Sequence, residues 1–515
     1  MRRVREGCYI VVTVSLKGVI ERNTNACREK SWGFCAGSPA GVYRKHREEK
    51  EKLVDTSRMF EFPIKEFFKQ PRSLLGAGAY ENAGPEAAAM GLKHVLFVTS
   101  GLSGTGIIDE CKTNFENAGV SVTVYDKVES NPKDYNVMDA YEAFSEGECD
   151  GFVSIGGGSS HDTTKGARVV AAHDGRNINE FQALNASETL DNPAHIAINT
   201  TVGTGSETTP AYVITDLSSP DAPHKWVGFD RAAITTLAIN DPVLCMTQPP
   251  EYVAYTGFDT LAHASEAYVG RVQHLSCTPV ALAAVRMVQE NLREATYNPH
   301  NYKAIEGMVW AQYIAAQAFS SALLGILHSL SHAVCAYYDI HHGLNNGIGL
   351  PRVWTYNQPA AAEKYADIAE AMGVNTKGMS VPQAADAAIE AVIRLVKDCG
   401  CPENWGQVSK YPKTRMGKGY YEGKASASIQ SDDEELQKMA EHMMGDLCTP
   451  GNPRDLTVDG AKEVLRDCMY DGMAVKTGNG YRQNVWGVAP EMGRRTHGYE
   501  SKDQQGSRSP VDTPS

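Results

Sequence analysis

Between Gly257 and Asn346 the chain reads GFDTLAHASEAYV, then a long helical run, then GILHSLSHAVCAYYDIHHGLNN. Asp259 and His263 are four residues apart, as are His328 and His332, a spacing that stacks side chains on one helix face. His342 follows ten residues after His332, beyond a Tyr-Tyr-Asp break. A lone histidine on an apolar helix is ordinarily a satisfied core residue. One carboxylate and four imidazoles buried together among Ala and Leu are costly unless something pairs them. Coordination does so: Asp259, His263, His328 and His342 would give one divalent ion a single negative charge and three neutral nitrogens. The ion keeps net positive charge and room for an outside oxygen, which makes the site a Lewis acid, and the donor set accommodates Fe(II) or Zn(II). His332, one turn from His328, is either a proton relay to solvent or a hydrogen-bonding partner that orients a ligand.

A second chemistry lies earlier. An apolar strand at Phe152–Ile155 ends in GGGSSHDTTKG, Gly156 to Gly166. Glycines let the backbone approach a diphosphate, and the helix that follows presents unpaired N–H groups and a positive dipole end. Gly157, Gly158, Ser159 and Asp162 are the candidates. The same residues could simply make a tight strand-to-helix turn with Ser159 or Ser160 as N-cap. The pattern is neither G-x-G-x-x-G nor a Walker A loop. A further strand, His195–Thr200, runs into TTVGTGSETT, so Thr200, Thr201, Gly203 and Thr204 stand at another strand's carboxyl end, the edge where open α/β sheets hold ligands. Two such turns together point to a dinucleotide.

The elements that must position these residues divide the chain. His94–Thr99 (HVLFVT) and Val120–Tyr125 read as strands, IIDECKTNFENAG and DAYEAFSEGE as helices. Strands alternating with helices at this spacing predict a doubly wound, mainly parallel, Rossmann-like sheet. After Asp241-Pro242 the alternation stops and helical periodicity takes over, with AIEGMVWAQYIAAQAFSSALLGILHSLSHAV as one continuous run. The expected organisation is an extension over 1–58, a dinucleotide-binding α/β domain over 59–247, an all-helical metal-binding domain over 248–475, and a disordered tail over 476–515.

With 515 residues, 42% of them hydrophobic, the chain can bury a large core, and it has no run of 18 apolar residues to span a membrane. Residues 1–58 hold 13 Lys/Arg against 7 Asp/Glu, yet the whole chain is at −13, so the body is strongly acidic and a nucleic-acid partner is not expected. The 12 cysteines show no paired Cys-x-x-Cys spacing, which predicts reduced thiols and a cytoplasmic setting. The start, MRRVREG followed by CYIVVTVSL, has the look of a targeting segment without its cleavage site. The expectation is a non-native extension, with Met59 as the functional start.

GGGSSHDTTKG, TTVGTGSETT, GFDTLAHASEAYV and HSLSHAVCAYYDIHHGLNN, in this order, resemble the signature blocks of the iron-containing (type III) alcohol dehydrogenases over roughly residues 59–475. FEFPIKEF, YDKVESNPKDYNVM, KGARVV, AHDGRNINEF, HKWVGFD and LPRVW resemble its branch of dimethylnitrosoaniline-dependent methanol dehydrogenases and formaldehyde dismutases. The resemblance implies a metal in a cleft between the two domains, ligated by Asp259, His263, His328 and His342, with His332 as a nearby non-ligand histidine. It implies a pyrophosphate loop at Gly157, Gly158, Ser159 and Asp162, a second cofactor turn over Thr200 to Thr204, and a cofactor contact at Lys225. The implied activity is hydride transfer between a short primary alcohol or aldehyde and NAD or NADP, by a homo-oligomer. Two positions depart from the pattern: Ser100 where many relatives have Asp, and Ala211 where some have Asn. An acid-free turn at Ser100 predicts that NADP is accepted and preferred. The rival readings are a cyclising lyase of the dehydroquinate-synthase type and a non-catalytic nucleotide-binding descendant. The first would want Lys and Arg around the metal, where this chain has few; the second would show a lost ligand, and none is lost.

Overall fold

In the computed structural model, the strand β2 (His94–Thr99) shows why the sheet forms. Val95 and Phe97 point into one apolar cluster with Ala83, Ala87, Ile107 and Phe115. Leu96 and Val98 point into another with Val137, Ala140, Ala167 and Val170. A strand apolar on both faces needs helices on both, and the helices Ala83–Ala89 and Ile107–Asn117 supply one layer, Asp134–Glu146 and Gly158–Ala172 the other. The described residues are 68, 70–100, 102–220, 222–272, 275–408, 433–469, 476–477 and 480–481. The expectations for 1–58 lie outside them. Of the tail expected to be disordered, Lys476–Thr477 and Gly480–Tyr481 pair as antiparallel strands, and the rest lies outside the described residues.

The sheet has six strands in the order β1-β8-β5-β4-β2-β3. Here β1 is Arg72–Leu75, β3 Ser121–Tyr125, β4 Gly151–Gly156, β5 Ala194–Asn199 and β8 Leu237–Asn240. Every pairing is parallel. From β2 the chain goes outward to β3, then crosses back to β4 on the other side. The carboxyl ends of β2 and β4 therefore frame a topological switch point, where a doubly wound sheet opens a crevice for ligands. The four strands expected from sequence are present with ends shifted by a residue, and the helix expected over DAYEAFSEGE begins earlier, at Asp134. Besides the pair at Lys476–Thr477 and Gly480–Tyr481, four strands were not expected. β1 and β8 are only four residues long; β6 (Ala211–Asp216) and β7 (His224–Phe229) form an antiparallel hairpin outside the main sheet.

Past β8 the described elements up to Asp467 are helical, and sheet and helices belong to one compact unit, Phe62–Ser515. The run expected as one helix is two, Tyr302–Ala322 and Ile326–Tyr338, bent by 101°. The break falls at Leu323, whose φ of 62° is left-handed. No single described helix is long and apolar enough to cross a membrane. Apolar periodicity hid the break because both halves are buried and so read alike. The nine described cysteines are unpaired and buried, consistent with reduced thiols.

Candidate metal centre and cofactor edge

The bend redirects the chain so that three helices meet around Asp259. Pro250–Val269 carries Asp259 and His263, Ile326–Tyr338 carries His328 and His332, and His342 opens the helix His342–Ala371. Asp259 Oδ1 lies 3.7 Å from His263 Nε2, 3.7 Å from His328 Nε2 and 3.5 Å from His342 Nε2. These separations are too long for hydrogen bonds. They approach the ~3.4 Å between neighbouring donors of a tetrahedral ion with 2.1 Å bonds. Ligand atoms of Asp259, His328 and His342 all lie within 4.8 Å of one another. His263 joins them from its own turn of helix, its ring stacked at 4.6 Å on that of His328. His328 Nε2 is buried with no hydrogen-bond partner, a donor atom with nothing to bind unless an ion occupies the middle. The residues thus fit a divalent metal.

The electrostatics agree with that fit. Burial disfavours the Asp259 carboxylate, but His263, His342 and His328 around it hold its pKa far below the usual range. Burial lowers the pKa of His263 to about 4, and that of His342 well below its ordinary value, so both rings are neutral and offer lone pairs near pH 7. Burial works the same way on His328, yet Glu266 and Asp259 overcome it and raise that pKa to about 9.

Sequence reasoning missed the carboxylates behind the histidines. Glu266 Oε2 sits 2.5 Å from His328 Nδ1, and its Oε1 accepts the Leu327 N–H at 2.8 Å. It therefore caps the helix after the bend and turns the His328 lone pair inward. Its signal was present: Glu266 is seven residues from Asp259, two turns along the same face. Asp446, which lies 2.8 Å from His332 Nδ1, had no signal, being 114 residues away. Asn346 was also missed. Its Nδ2 donates to Asp259 Oδ1 at 2.7 Å and lies 3.3 Å from His342 Nε2, while Ser331 Oγ donates to its Oδ1 at 2.5 Å.

At the sheet's carboxyl edge the two turns interlock. A Cβ on Gly157 would sit 2.7 Å from Thr201 Cγ2, and one on Gly158 the same distance from Thr204 Cγ2. The helix Gly158–Ala172 has Gly157 as N-cap with no side-chain cap, so neither Ser159 nor Ser160 caps it, correcting that expectation. Its first N–H groups are free of side-chain partners at the switch point, as an anion site requires. Asp162 is engaged internally: Oδ1 accepts from Ser206 Oγ at 2.6 Å and Oδ2 from the Val213 N–H at 3.0 Å. It ties the first turn to the second and to β6. Thr200 N–H donates to the Gly156 carbonyl at 2.9 Å. Ser100, at the end of β2, lies 3.2 Å from Ser160 Oγ across the crevice.

The two sites are joined directly. Thr260, next to Asp259, donates its hydroxyl to the Val202 and Gly203 carbonyls at 2.9 and 3.1 Å. Gly203 lies so close to the helix that carries Asp259 that a Cβ would stand 2.6 Å from the Thr256 carbonyl oxygen. Lys225 is buried in β7 and donates to Asn131 Oδ1 at 2.7 Å. Asn131 Nδ2 in turn donates to Asp339 Oδ1 at 2.9 Å and the Ile340 carbonyl at 3.2 Å, three and two residues before His342. Lys133 Nζ adds an ion pair to Asp339 at 3.2 Å.

A dinucleotide-type sheet edge bolted to a buried carboxylate–imidazole cluster fits an enzyme that uses a metal and a nucleotide. Comparison with known proteins says which kind. Residues 71–242 match the family described as iron-containing alcohol dehydrogenase, and 253–469 the C-terminal part of the Fe-containing alcohol dehydrogenase family. The chain is 56% identical over 414 residues to a methanol:N,N-dimethyl-4-nitrosoaniline oxidoreductase of a Mycobacterium species, covering 80% of this chain and 98% of that protein. It is 37% identical over 408 residues to an NAD-dependent methanol dehydrogenase of Bacillus methanolicus, covering 78% and 99%. The crystal structure of a 1,3-propanediol oxidoreductase superposes with a TM-score of 0.71 at 33% identity, covering 79% of this chain and all of that one. The chain belongs to the iron-containing alcohol dehydrogenase family and is a metal-containing alcohol oxidoreductase. The cyclising-lyase and non-catalytic readings are not favoured.

Proposed function

We propose that the protein oxidises short primary alcohols, methanol-like in size, or reduces the matching aldehydes. One Fe(II) or Zn(II) would be held by Asp259, His263, His328 and His342. A nicotinamide dinucleotide would lie along Gly157–Ser159 and Thr200–Thr204. The observation that carries the reading is the buried, partnerless His328 Nε2 facing Asp259 Oδ1 at 3.7 Å, on a helix tied to the cofactor edge. When bound, the ion polarises the alcohol oxygen and the nicotinamide takes the hydride. The chain does the rest: Glu266 and Asn346 orient the ligands, Thr260 fixes the distance between the helix and the Gly203 turn, and the helical half excludes water. Methanol as a substrate is supported by the names of the relatives at 56% and 37% identity.

NADP is favoured over NAD in this reading because the turn after β2, Thr99-Ser100-Gly101, has no acid to repel a 2′-phosphate. Retention of the cofactor between turnovers is supported by the ties of Asn131 and Lys133 to Asp339 across the cleft. The test is threefold on purified protein: metal analysis, identification of any nucleotide released on denaturation, and a panel of primary alcohols with an artificial electron acceptor. Protein with no divalent metal that oxidises none of the alcohols would end the proposal.

A further inference from the structure

The neighbouring strands β5 and β8 end side by side on asparagines: Asn199 and Asn240 are register partners, and both are buried. Asn199 is wrapped around the turn that follows it. Its Oδ1 accepts the Thr201 N–H at 3.1 Å and the Thr201 hydroxyl at 3.2 Å, while its Nδ2 donates to the Thr201 carbonyl at 2.7 Å and to Asn240 Oδ1 at 2.8 Å. The other end of the turn is held from the helical half. Gln312, buried on the helix Tyr302–Ala322, accepts the Gly205 N–H on Oε1 at 3.3 Å and donates from Nε2 to the same Asn240 Oδ1 at 2.9 Å. Asn240 Nδ2 donates in turn to Glu207 Oε1 at 3.0 Å, which Gln312 Nε2 approaches at 3.4 Å. Gly205 is left-handed, with φ of 61°, and a Cβ there would collide with that of Ala316, one turn along the helix from Gln312.

We infer that Asn240 and Gln312 are positioning residues that give the Thr201–Gly205 turn its shape before a dinucleotide settles on it. This rests on the cofactor reading above. The orientation of every amide follows from the two ends of the turn. The Thr201 and Gly205 N–H groups can only donate, so they fix Asn199 Oδ1 and Gln312 Oε1 as acceptors, and both amide nitrogens then point at Asn240 Oδ1. Turning Asn240 over would set donor against donor at that oxygen's place and oxygen against oxygen at Glu207. Asn240 is therefore the hub. The turn is gripped at Thr201 from the sheet and at Gly205 from the helical half, while its Val202 and Gly203 carbonyls accept from Thr260. A segment already held in one shape loses less conformational freedom when a ligand binds, so the network acts on dinucleotide affinity and not on the chemical step. Metal binding is separate, since the helix Tyr302–Ala322 carries none of the proposed metal donors.

The test is a double-mutant cycle in the full-length protein: wild type, Gln312→Met, Asn240→Ala and the double variant. Met308→Ala, which empties part of the apolar core one turn earlier on the same helix, is the comparison for a loss of stability alone. Dissociation constants for NADP and NAD are measured by titration, together with Tm, metal content, kcat at saturating dinucleotide and amide hydrogen exchange over residues 200–208. Gln312→Met is expected to weaken dinucleotide binding about 10-fold, the consequence of a buried N–H left without its acceptor. Exchange over 200–208 should quicken, metal should stay bound, and kcat at saturation should move less than about threefold. Met308→Ala should lower Tm through its cavity while its dissociation constants stay within about twofold of wild type. The double variant should lose less affinity than the product of the two single losses, because residues in direct contact act as a unit. Wild-type affinity in Gln312→Met would overturn the inference, as would a full product in the double variant or a loss of affinity in Met308→Ala matching that of Gln312→Met. If Gln312→Met does not fold, Asn240→Ala set against Met308→Ala decides by the same readings. Failure of the underlying cofactor reading shows separately, in wild-type protein that binds neither NADP nor NAD.

Discussion

The sheet edge and the helical half meet where Thr260 bonds to the Val202 and Gly203 carbonyls, and they build function from opposite materials. At the sheet edge it is backbone: bare N–H groups at Gly158 and Ser159, and glycines whose missing Cβ atoms let Thr201, Thr204 and Thr256 close in. In the helical half it is side chains, collected from Asp259 to Asp446, with His328, His332 and Asp259 each held by another side chain. The lesson is that the two halves should fail differently. Deleting atoms should destroy the helical site, and adding atoms should destroy the sheet edge.

The largest effect expected is in the helical half. His328→Ala or His342→Ala removes one of the four proposed metal donors, and His263→Ala another, so bound metal should fall to a small fraction and turnover by at least about 1000-fold. The fold should survive, since the sheet and its two apolar layers do not touch the ion. Metal analysis with circular dichroism checks both. Any of the three variants with full metal and wild-type turnover would remove that residue from the site.

The next tests the opposite rule. Gly203→Ala adds one carbon 2.4 Å from Thr256 Cβ and 2.6 Å from its carbonyl oxygen. The turn must move off the metal-bearing helix, at a cost on the order of 3 kcal/mol. Cofactor affinity and Tm should both drop while metal content holds. Ser159→Ala, which removes an atom from the same edge, should change cofactor affinity by less than about tenfold. Equal losses from the two variants would break the contrast between the halves.

Glu266→Gln probes the support behind a ligand. The amide can still accept the Leu327 N–H, but it no longer holds the His328 Nδ1 proton with a full charge. Metal affinity should weaken by about 10- to 100-fold, the usual consequence of losing such a partner. Competition against a chelator measures it, and unchanged affinity would show Glu266 to be a helix cap alone.

How much of this was legible in the sequence follows the same division. The strands at His94, Gly151 and Ala194 could be read because a strand buried on both faces is a continuous apolar run, and the edge strand at Ser121 could be read from its β-branched residues. β1 and β8 could not, being four residues each in a sequence with many such tetrads, and the β6–β7 hairpin carries Lys225, His224 and Asp216 inside it. The clustering of Asp259, His263, His328 and His342 was legible because helical spacing pairs Asp259 with His263 and His328 with His332. What spacing could not reveal is closure: that Leu323 breaks the long run, that Glu266 turns inward, and that Asp446 returns from far along the chain to meet His332. Those contacts depend on the 101° bend, and no local pattern encodes it.

Ser100 is where the contrast between the halves narrows, because there the sheet edge relies on a side chain, and on its lack of charge. It stands at the end of β2 beside Ser160, partly exposed, on the rim of the switch-point crevice. A carboxylate there would hydrogen-bond ribose hydroxyls and repel a 2′-phosphate. Two like charges at 4 Å repel by about 4 kcal/mol at an effective dielectric near 20 and by about 1 kcal/mol in bulk water. Partial exposure puts Ser100 between those limits. Ser100→Asp should therefore shift the ratio of kcat/KM for NADP to that for NAD toward NAD by at least about tenfold, the effect of roughly 1.4 kcal/mol. Metal content and alcohol KM should not move. If the wild type already uses NAD a hundredfold better than NADP, the phosphate preference is being set by other residues, and the serine is only a hydrogen-bonding neighbour of Ser160.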